Sequence, residues 1–304
     1  MTWSSREVVY FVAVAGCGSF TDAAIELGVS QAAVSRAIAA TENRLGERLL
    51  RRTPHGCEPT ALGLQLLPQA RRILSELDVL DDIARTRRRR LRLGYAWAAV
   101  GRHTTPLLRS WPAEHPTIEL QLVRHNSPTA GLAEGFCDVA VVRTPVNTSR
   151  FDTVVVGLER RLAAFATDDA LWRRRRTLTM AEVGRRTLVV DPRVGTTTPA
   201  LWTHDGTDPV PDLIETTDVD EWLDTIAAGR GVGSTAEATA LHHPRSGVTY
   251  RPITDGPSIP VHLAWWRHEP PAGLRELVAT LTSYYSTEPP TPSRPCVDPV
   301  VSTS

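Results

Sequence analysis

Gln31, Ala32, Ser35 and Arg36 fall on one exposed face at the opening of a helix, and these are side chains that reach base edges and phosphates. Ser30 stands immediately before them, where its hydroxyl accepts a hydrogen bond from the N–H of Ala32 or Ala33 and caps the helix. Arg51, Arg52 and His55 follow in a turn-rich stretch, Thr53 to Thr60, which suits the wing of a winged helix and offers cations to phosphate. From Val29 to Thr60 there are five arginines (36, 44, 48, 51, 52) against three glutamates (42, 47, 58). The whole chain has a formal net charge of zero, so any nucleic-acid binding must come from local placement and not from a global field. Every cation other than histidine is arginine.

These side chains need a scaffold of two short helices joined by a tight turn, and Ser19 to Gly46 reads that way. Ala23, Ala24 and Leu27 share one face of a first helix. Gly28 then permits a left-handed turn, and Val34, Ile38 and Leu45 continue an apolar face at helical spacing. The plain alternative is a helical hairpin whose polar face is merely solvated.

The N-terminal part resembles the LysR-type transcriptional regulators. The resemblance is carried by Phe11, Val12, Ala13, Ser19-Phe20-Thr21, Ala23-Ala24, Leu27, Ser30-Gln31, Ala33-Val34-Ser35-Arg36, Ile38, Glu42, Leu45-Gly46, Leu49, Arg52, Thr60 and Gly63. Ala32 stands where the family commonly has proline or serine, Thr41 where leucine is usual and Leu50 where phenylalanine is usual. The resemblance implies a winged helix-turn-helix DNA-binding domain over residues 1–60, with Ser30, Gln31, Ala32, Ser35, Arg36, Arg51, Arg52 and His55 as its DNA-binding residues.

A long helical segment follows, from Thr60 to about Arg88. Leu66, Ala70, Ile73, Leu77, Leu80 and Ala84 alternate spacings of four and three, the seam of a two-stranded helical pairing. Either a second copy covers that seam or it packs on the chain's own C-terminal domain. The resemblance implies the former, a linker and dimerisation helix over 61–90, and hence a homodimer or homotetramer on double-stranded DNA with an imperfect palindrome. Arg87 to Arg90 read as the cationic end of this helix or a solvated hinge, and Arg173 to Arg176 as a helix end or loop.

From Leu91 strands alternate with helices. Strands are expected at 91–95, 118–123, 138–142, 162–166, 187–191, 212–215, 231–234 and 262–266. Helices are expected at 105–111, 130–136, 198–202, 219–228, 236–242 and 273–285, giving parallel sheet with helices on its faces. Gly94, Pro116, Leu132-Ala133-Glu134-Gly135 with Asp138-Val139-Ala140, and Ile226 to Gly233 resemble the effector domain of the same family. The implied whole is an α+β two-part chain: winged helix-turn-helix, linker helix, and an α/β periplasmic-binding-protein-like domain over 91–288. Its first subdomain takes 91–159 and 267–288 and its second takes 160–266, ahead of a proline-rich, disordered tail at 289–304.

Ligands of open α/β sheets collect at the C-terminal ends of strands. By position the effector-binding candidates are Ala98, Ala99, Arg102, Arg143, Thr144, Thr196, Thr197 and Asp218. The family often has Ser or Thr near position 98 to anchor an anionic ligand, and this chain has alanine there; Arg102 or Arg143 is the replacement partner for an acidic group. Thr217 or Asp218 doubles as a helix cap.

Catalysis finds no support. The nine histidines (55, 103, 115, 125, 204, 242, 243, 262, 268) form no HExxH, there is no GxSxG, no phosphate-binding GxxxxGK[ST] and no GxGxxG opening a helix, and no cofactor or metal is expected. Four scattered cysteines (17, 57, 137, 296) give no ligand spacing and no disulfide framework, with Cys17 and Cys137 read as small buried residues. No run of 18 apolar residues and no signal segment occurs, so a cytoplasmic protein without a membrane partner is expected. Two functions remain. One is a transcriptional regulator whose cleft binds a small-molecule effector that alters oligomer geometry, with RNA polymerase as a further partner. The other is a DNA-binding regulator whose C-terminal domain is an effector-independent assembly or interaction module.

Overall fold

Short polar residues and left-handed glycines punctuate the N-terminal helices. Ser4 opens α1 (Ser5–Cys17) with a capping box, its hydroxyl accepting from the Glu7 N–H while the Glu7 carboxylate accepts from Ser4 N–H at 2.8 Å. Ser19 caps α2 (Phe20–Glu26) and Ser30 caps α3 (Gln31–Leu45), whose Ala33 N–H donates to the Ser30 hydroxyl at 3.2 Å. Gly28, at φ +64°, turns the chain between α2 and α3 in a conformation that favours glycine. β1 (Leu50–Thr53) and β2 (Gly56–Pro59) form an antiparallel ribbon with Arg52 opposite Cys57. Phe11, Val14, Ala23, Ala24, Val34, Ile38 and Leu49 are buried together beneath it.

The computed structural model describes residues 3–53, 56–85, 89–198, 201–202 and 211–286. After the ribbon come α4 (Ala61–Arg85), β3 (Arg89–Tyr95), α5 (Thr104–Glu114), β4 (Ile118–Arg124), β5 (Val139–Val142), β6 (Phe151–Glu159) and β7 (Arg161–Ala166). Then follow α6 (Met180–Gly184), β8 (Leu188–Val190), β9 (Leu213–Glu215), α7 (Val219–Ala227), β10 (Gly233–Ala236), α8 (Glu237–His242), β11 (Val248–Pro252), β12 (Ile259–Trp266) and α9 (Leu274–Ser286). No single helix among the described residues is long and apolar enough to cross a membrane.

The chain divides into two compact units. The first holds Met1–Ala96, Leu108–Thr153 and Leu263–Glu276. In it β3 is flanked in parallel by β4 and β5, within a sheet of order β4-β3-β5-β12-β6. Arg92 holds Asp138 through its backbone N–H at 2.8 Å and its guanidinium at 2.7 Å. α4 serves two partners in this unit. Leu67 and Ala70 are buried in the N-terminal core, while the Arg71 guanidinium lies 3.9 Å from the Phe136 ring centroid and donates to the Glu134 carbonyl at 3.2 Å. Gly135 must be small here, because a Cβ would sit 2.6 Å from the Pro68 carbonyl oxygen.

The second unit holds Trp97–Leu107, Val154–His262 and the chain from Leu277. β7 is its centre, buried along its whole length and paired antiparallel with β10 and β11, and β8 pairs in parallel with β9. Phe165 and Trp172 meet edge to face at 5.4 Å in one core, and the Trp222 indole N–H donates to the Val189 carbonyl at 2.7 Å in another.

Several expectations are corrected. Residues 130–136 are turns and not a helix, because Ala130, Gly131 and Gly135 take φ of +51°, +93° and +75°. Arg89 and Arg90 begin β3 and do not end the linker helix; Arg87 lies outside the described residues. The strand expected at 231–234 is β10, two residues later, and the second unit's sheet around β7 is antiparallel. Cys17 is half-buried, not buried, and its thiol donates to Glu26 at 3.0 Å; that carboxylate raises it to about 11. The subdomain boundaries differ as well. Trp97–Leu107, residues 154–159 and the chain from Leu277 join the second unit, where the Tyr285 hydroxyl reaches the Val100 carbonyl at 3.3 Å and Glu159 at 3.1 Å, and residues 263–266 join the first. α6, β6 and β11 were not anticipated. The helix expected at 198–202 falls partly, and the tail at 289–304 wholly, outside the described residues.

The Arg44 guanidinium, 2.9 Å from Glu7, together with the Ser4 N–H holds the Glu7 carboxyl down to about 2. Its folded value lies below the ordinary 4.5, so the stabilisation is full above that value and is lost as pH falls toward 2. The gap in urea midpoint between the parent protein and Glu7→Gln should therefore be widest above about pH 5 and close as the buffer is taken below about pH 3; a gap that is constant with pH contradicts the ion pair.

Candidate nucleic-acid interface and effector cleft

Burial fixes the rotation of α3. Val34, Ile38 and Thr41 face the core, the Thr41 hydroxyl returning to the Ala37 carbonyl at 3.0 Å, and this leaves Gln31, Ala32 and Arg36 exposed and Ser35 half-buried. Thr41 thus fills the place of the family's leucine by satisfying its own hydroxyl within the helix. No acidic side chain among the described residues pairs with Arg36. Ser30 is spent on the cap.

The ribbon brings its arginines beside this helix. Arg52 lies 5.4 Å from the Phe20 ring centroid, and Arg51 pairs with Glu58 at 2.8 Å, both partners well exposed, so water competes for that pair. His55 falls outside the described residues. A groove between the second half of α3 and the ribbon is lined by Ser35, Glu42, Asn43, Arg48, Arg51 and Arg52. Arg48 was not among the expected DNA-binding residues; its neighbours 51 and 52 were the signal. Glu42 joins helix to ribbon, one carboxylate oxygen accepting from the N–H of Leu49 at 2.8 Å and of Leu50 at 3.0 Å.

In the second unit a small cleft of about 40 Å³ opens beside β8, β9 and β10. Thr196 and Thr197 line it in the loop after β8, and Asp218 lines it as the cap of α7, accepting from the Glu221 N–H at 2.8 Å. Asp191, Trp97, Trp222, Ser234, Thr235 and Thr239 complete the lining, none of them expected. Asp191 follows a strand, a signal available from the sequence; Trp97 and Ser234 come from distant segments. The Arg161 guanidinium is buried behind the cleft on the Thr196 carbonyl at 3.0 Å and the Ser234 hydroxyl at 3.1 Å, and this desolvation pushes it down to about 10.

The other expected effector residues do not join this lining. Ala98 and Ala99 are buried beside Trp97, outside the lining. Arg102 lines a different cavity, where it and Arg160 both hold Glu237, the latter at 2.6 Å. Arg143 is buried and Thr144 half-buried just after β5, in the first unit. His242 and His243 diverge, one onto the Gly101 carbonyl at 2.9 Å and the other onto the Trp97 carbonyl at 2.5 Å. No cluster of metal-ligating side chains occurs among the described residues.

Residues 5–64 match the model of the bacterial regulatory helix-turn-helix protein, lysR family, and residues 84–286 that of the LysR substrate binding domain. The HTH-type transcriptional regulator IlvR of Caulobacter vibrioides is 30% identical over 294 residues, 91% of this chain and 97% of its own. CbnR, a LysR family transcriptional regulator, has a similar fold, with a TM-score of 0.71 at 22% identity over 94% of this chain and 100% of its own. Full-length CbnR complexed with its target DNA gives 0.66 at 23% identity, over 93% and 98%.

The Glu42 bridge has a measurable consequence. Glu42→Ala strands two backbone N–H groups that are largely withdrawn from water and should cost about 1–3 kcal/mol in urea unfolding; an unchanged midpoint means that water replaces the carboxylate.

Proposed function

Because this chain belongs to the LysR family of bacterial regulators, and so is a DNA-binding transcriptional regulator with an effector-binding domain and not an enzyme, we propose residue roles for both of its activities. Gln31, Ala32, Ser35 and Arg36 enter the major groove and read base edges, with Ser30 setting the start of the helix. Arg51, Arg52 and His55 hold phosphates, and Arg48 joins them. The observation that carries this reading is the rotation of α3, which buries Val34, Ile38 and Thr41 and leaves the polar face outward.

α4 is the dimer seam. Ile73 is 49%, Leu77 39% and Leu80 63% exposed, a helical stripe that the chain itself leaves uncovered beyond Ala70. A second copy covering it gives a homodimer, or a homotetramer as a pair of dimers, with two reading helices and an imperfectly palindromic site. A small-molecule effector binds in the second unit's cleft through Thr196, Thr197 and Asp218, and shifts the oligomer between DNA-bending states that RNA polymerase distinguishes. The protein works in the cytoplasm.

Gel-shift titration on DNA upstream of the protein's own gene, over a salt series, tests the reading face. Arg36→Ala should lose about 1–3 kcal/mol and relax preference at one base position. Uniform weakening on every sequence would make Arg36 a phosphate clamp. For the seam, Leu77→Asp should sediment as a monomer in analytical ultracentrifugation, whereas an intact dimer rejects α4 as the interface.

A further inference from the structure

The polar groups of the cleft are matched unevenly. Asp191 is 6% exposed, and one of its carboxylate oxygens accepts from the N–H of Arg193 at 2.9 Å and of Val194 at 3.4 Å, closing the turn after β8. Among the described residues its other oxygen, Oδ2, has no hydrogen-bond partner, and neither has the hydroxyl of Thr196, which is 8% exposed. A buried acceptor left unmatched costs free energy that a bound donor recovers.

The charged groups around the cavity decide which donor fits. Asp218 adds a second carboxylate to the lining, and among the described residues no cationic side chain lines it. Arg193 approaches Asp191 only at Oδ1, 3.7 Å from its Nε, and spends its terminal nitrogen on the Thr217 carbonyl. Arg161 sits behind the wall with its N–H groups on the Thr196 and Pro257 carbonyls and the Ser234 hydroxyl. An entering carboxylate would meet Asp191 and Asp218 with no cation among the described lining residues to receive it. An ammonium group has three donors and no acceptor, which suits an unmatched carboxylate oxygen in a lining that also holds an unmatched hydroxyl. The indole N–H groups of Trp97 and Trp222 are used on the Val194 and Val189 carbonyls at 3.1 and 2.7 Å, so their rings contribute apolar wall.

We propose that the effector of this chain carries a primary ammonium group, held by Asp191 Oδ2 with the Thr196 hydroxyl beside it, on a small apolar body packed against Trp97 and Trp222. This rests on the reading of the second unit's cleft as the effector site.

The test is calorimetric titration and thermal melting of the full-length protein with matched sets of primary amines, carboxylates and alcohols, each set carrying the same straight, branched and aromatic tails. 3-Methylbutylamine, 4-methylpentanoate and 3-methylbutanol form one such triple. Amines should bind and raise the melting temperature where their partners do not, and Asp191→Asn should weaken them at least tenfold. Thr196→Val, which leaves the carboxylate in place, should weaken them several-fold; it guards against loss of fold in the first variant. Binding by carboxylates or alcohols as tight as by amines, with a change in tryptophan fluorescence, keeps the cleft and overturns the ammonium. Amine binding that both variants leave untouched overturns the anchor. Silence from every compound overturns the anchor and the cleft together.

Discussion

The rotation of α3 about its own axis governs what this chain presents to DNA. Side chains four apart on a helix share a face, so burying Val34, Ile38 and Thr41 leaves no choice about Gln31, Ala32 and Arg36. The constraint is reinforced at both ends: Ser30 pins the start, and Gly46, at φ +76°, releases the chain toward the ribbon. Glu42 then ties that ribbon back to the helix, so the arginines at 48, 51 and 52 keep a fixed distance from the reading face. A polar change at Val34 or Ile38 would cost more than core packing, because it would free the helix to turn.

α4 extends the same logic. Its first turns belong to the N-terminal core through Leu67 and Ala70, and Arg71 and Arg72 clasp Phe136 and Trp266 at 3.9 and 4.8 Å. The helix therefore has two faces occupied within its unit, and the one holding Ile73, Leu77 and Leu80 is exposed. The seam predicted from spacing alone was half an interior feature: Leu66 and Ala70 lie in it but pack at home.

Local signals in the sequence were readable wherever the physics is local. Caps at Ser30 and Asp218, the Gly28 turn and the apolar period of α3 each depend on residues within a turn of one another. Residues 130–136 misled for the opposite reason. Leu132, Ala133 and Glu134 favour a helix, but Glu134 is drawn off by the hydroxyls of Ser127 and Thr129, each at 3.0 Å, and the flanking glycines accept φ values that no helix uses. β6 was missed because Val154 to Val156 run apolar without alternation and Gly157 interrupts them, the glycine being needed where Tyr285 from α9 lies against the strand. The cleft shows the same division. Thr196, Thr197 and Asp218 follow strands and were visible, whereas Arg102 looked available until Glu237, 135 residues away in sequence, claimed it.

Charge closes the argument about how this chain recognises DNA. Lys+Arg and Asp+Glu are equal at 34 each, so no long-range field draws the protein to the duplex. Near α3 Arg44 is tied to Glu7, whereas the exposed Arg51–Glu58 pair is open to exchange with water, so the cations that this region can offer to phosphate are the local ones at 36, 48, 51 and 52. Tight binding then has to come from contacts that only the right bases complete, and from doubling those contacts through a second subunit. Under the proposed roles, a neutral chain with an oriented α3 and an exposed apolar stripe on α4 would meet both requirements.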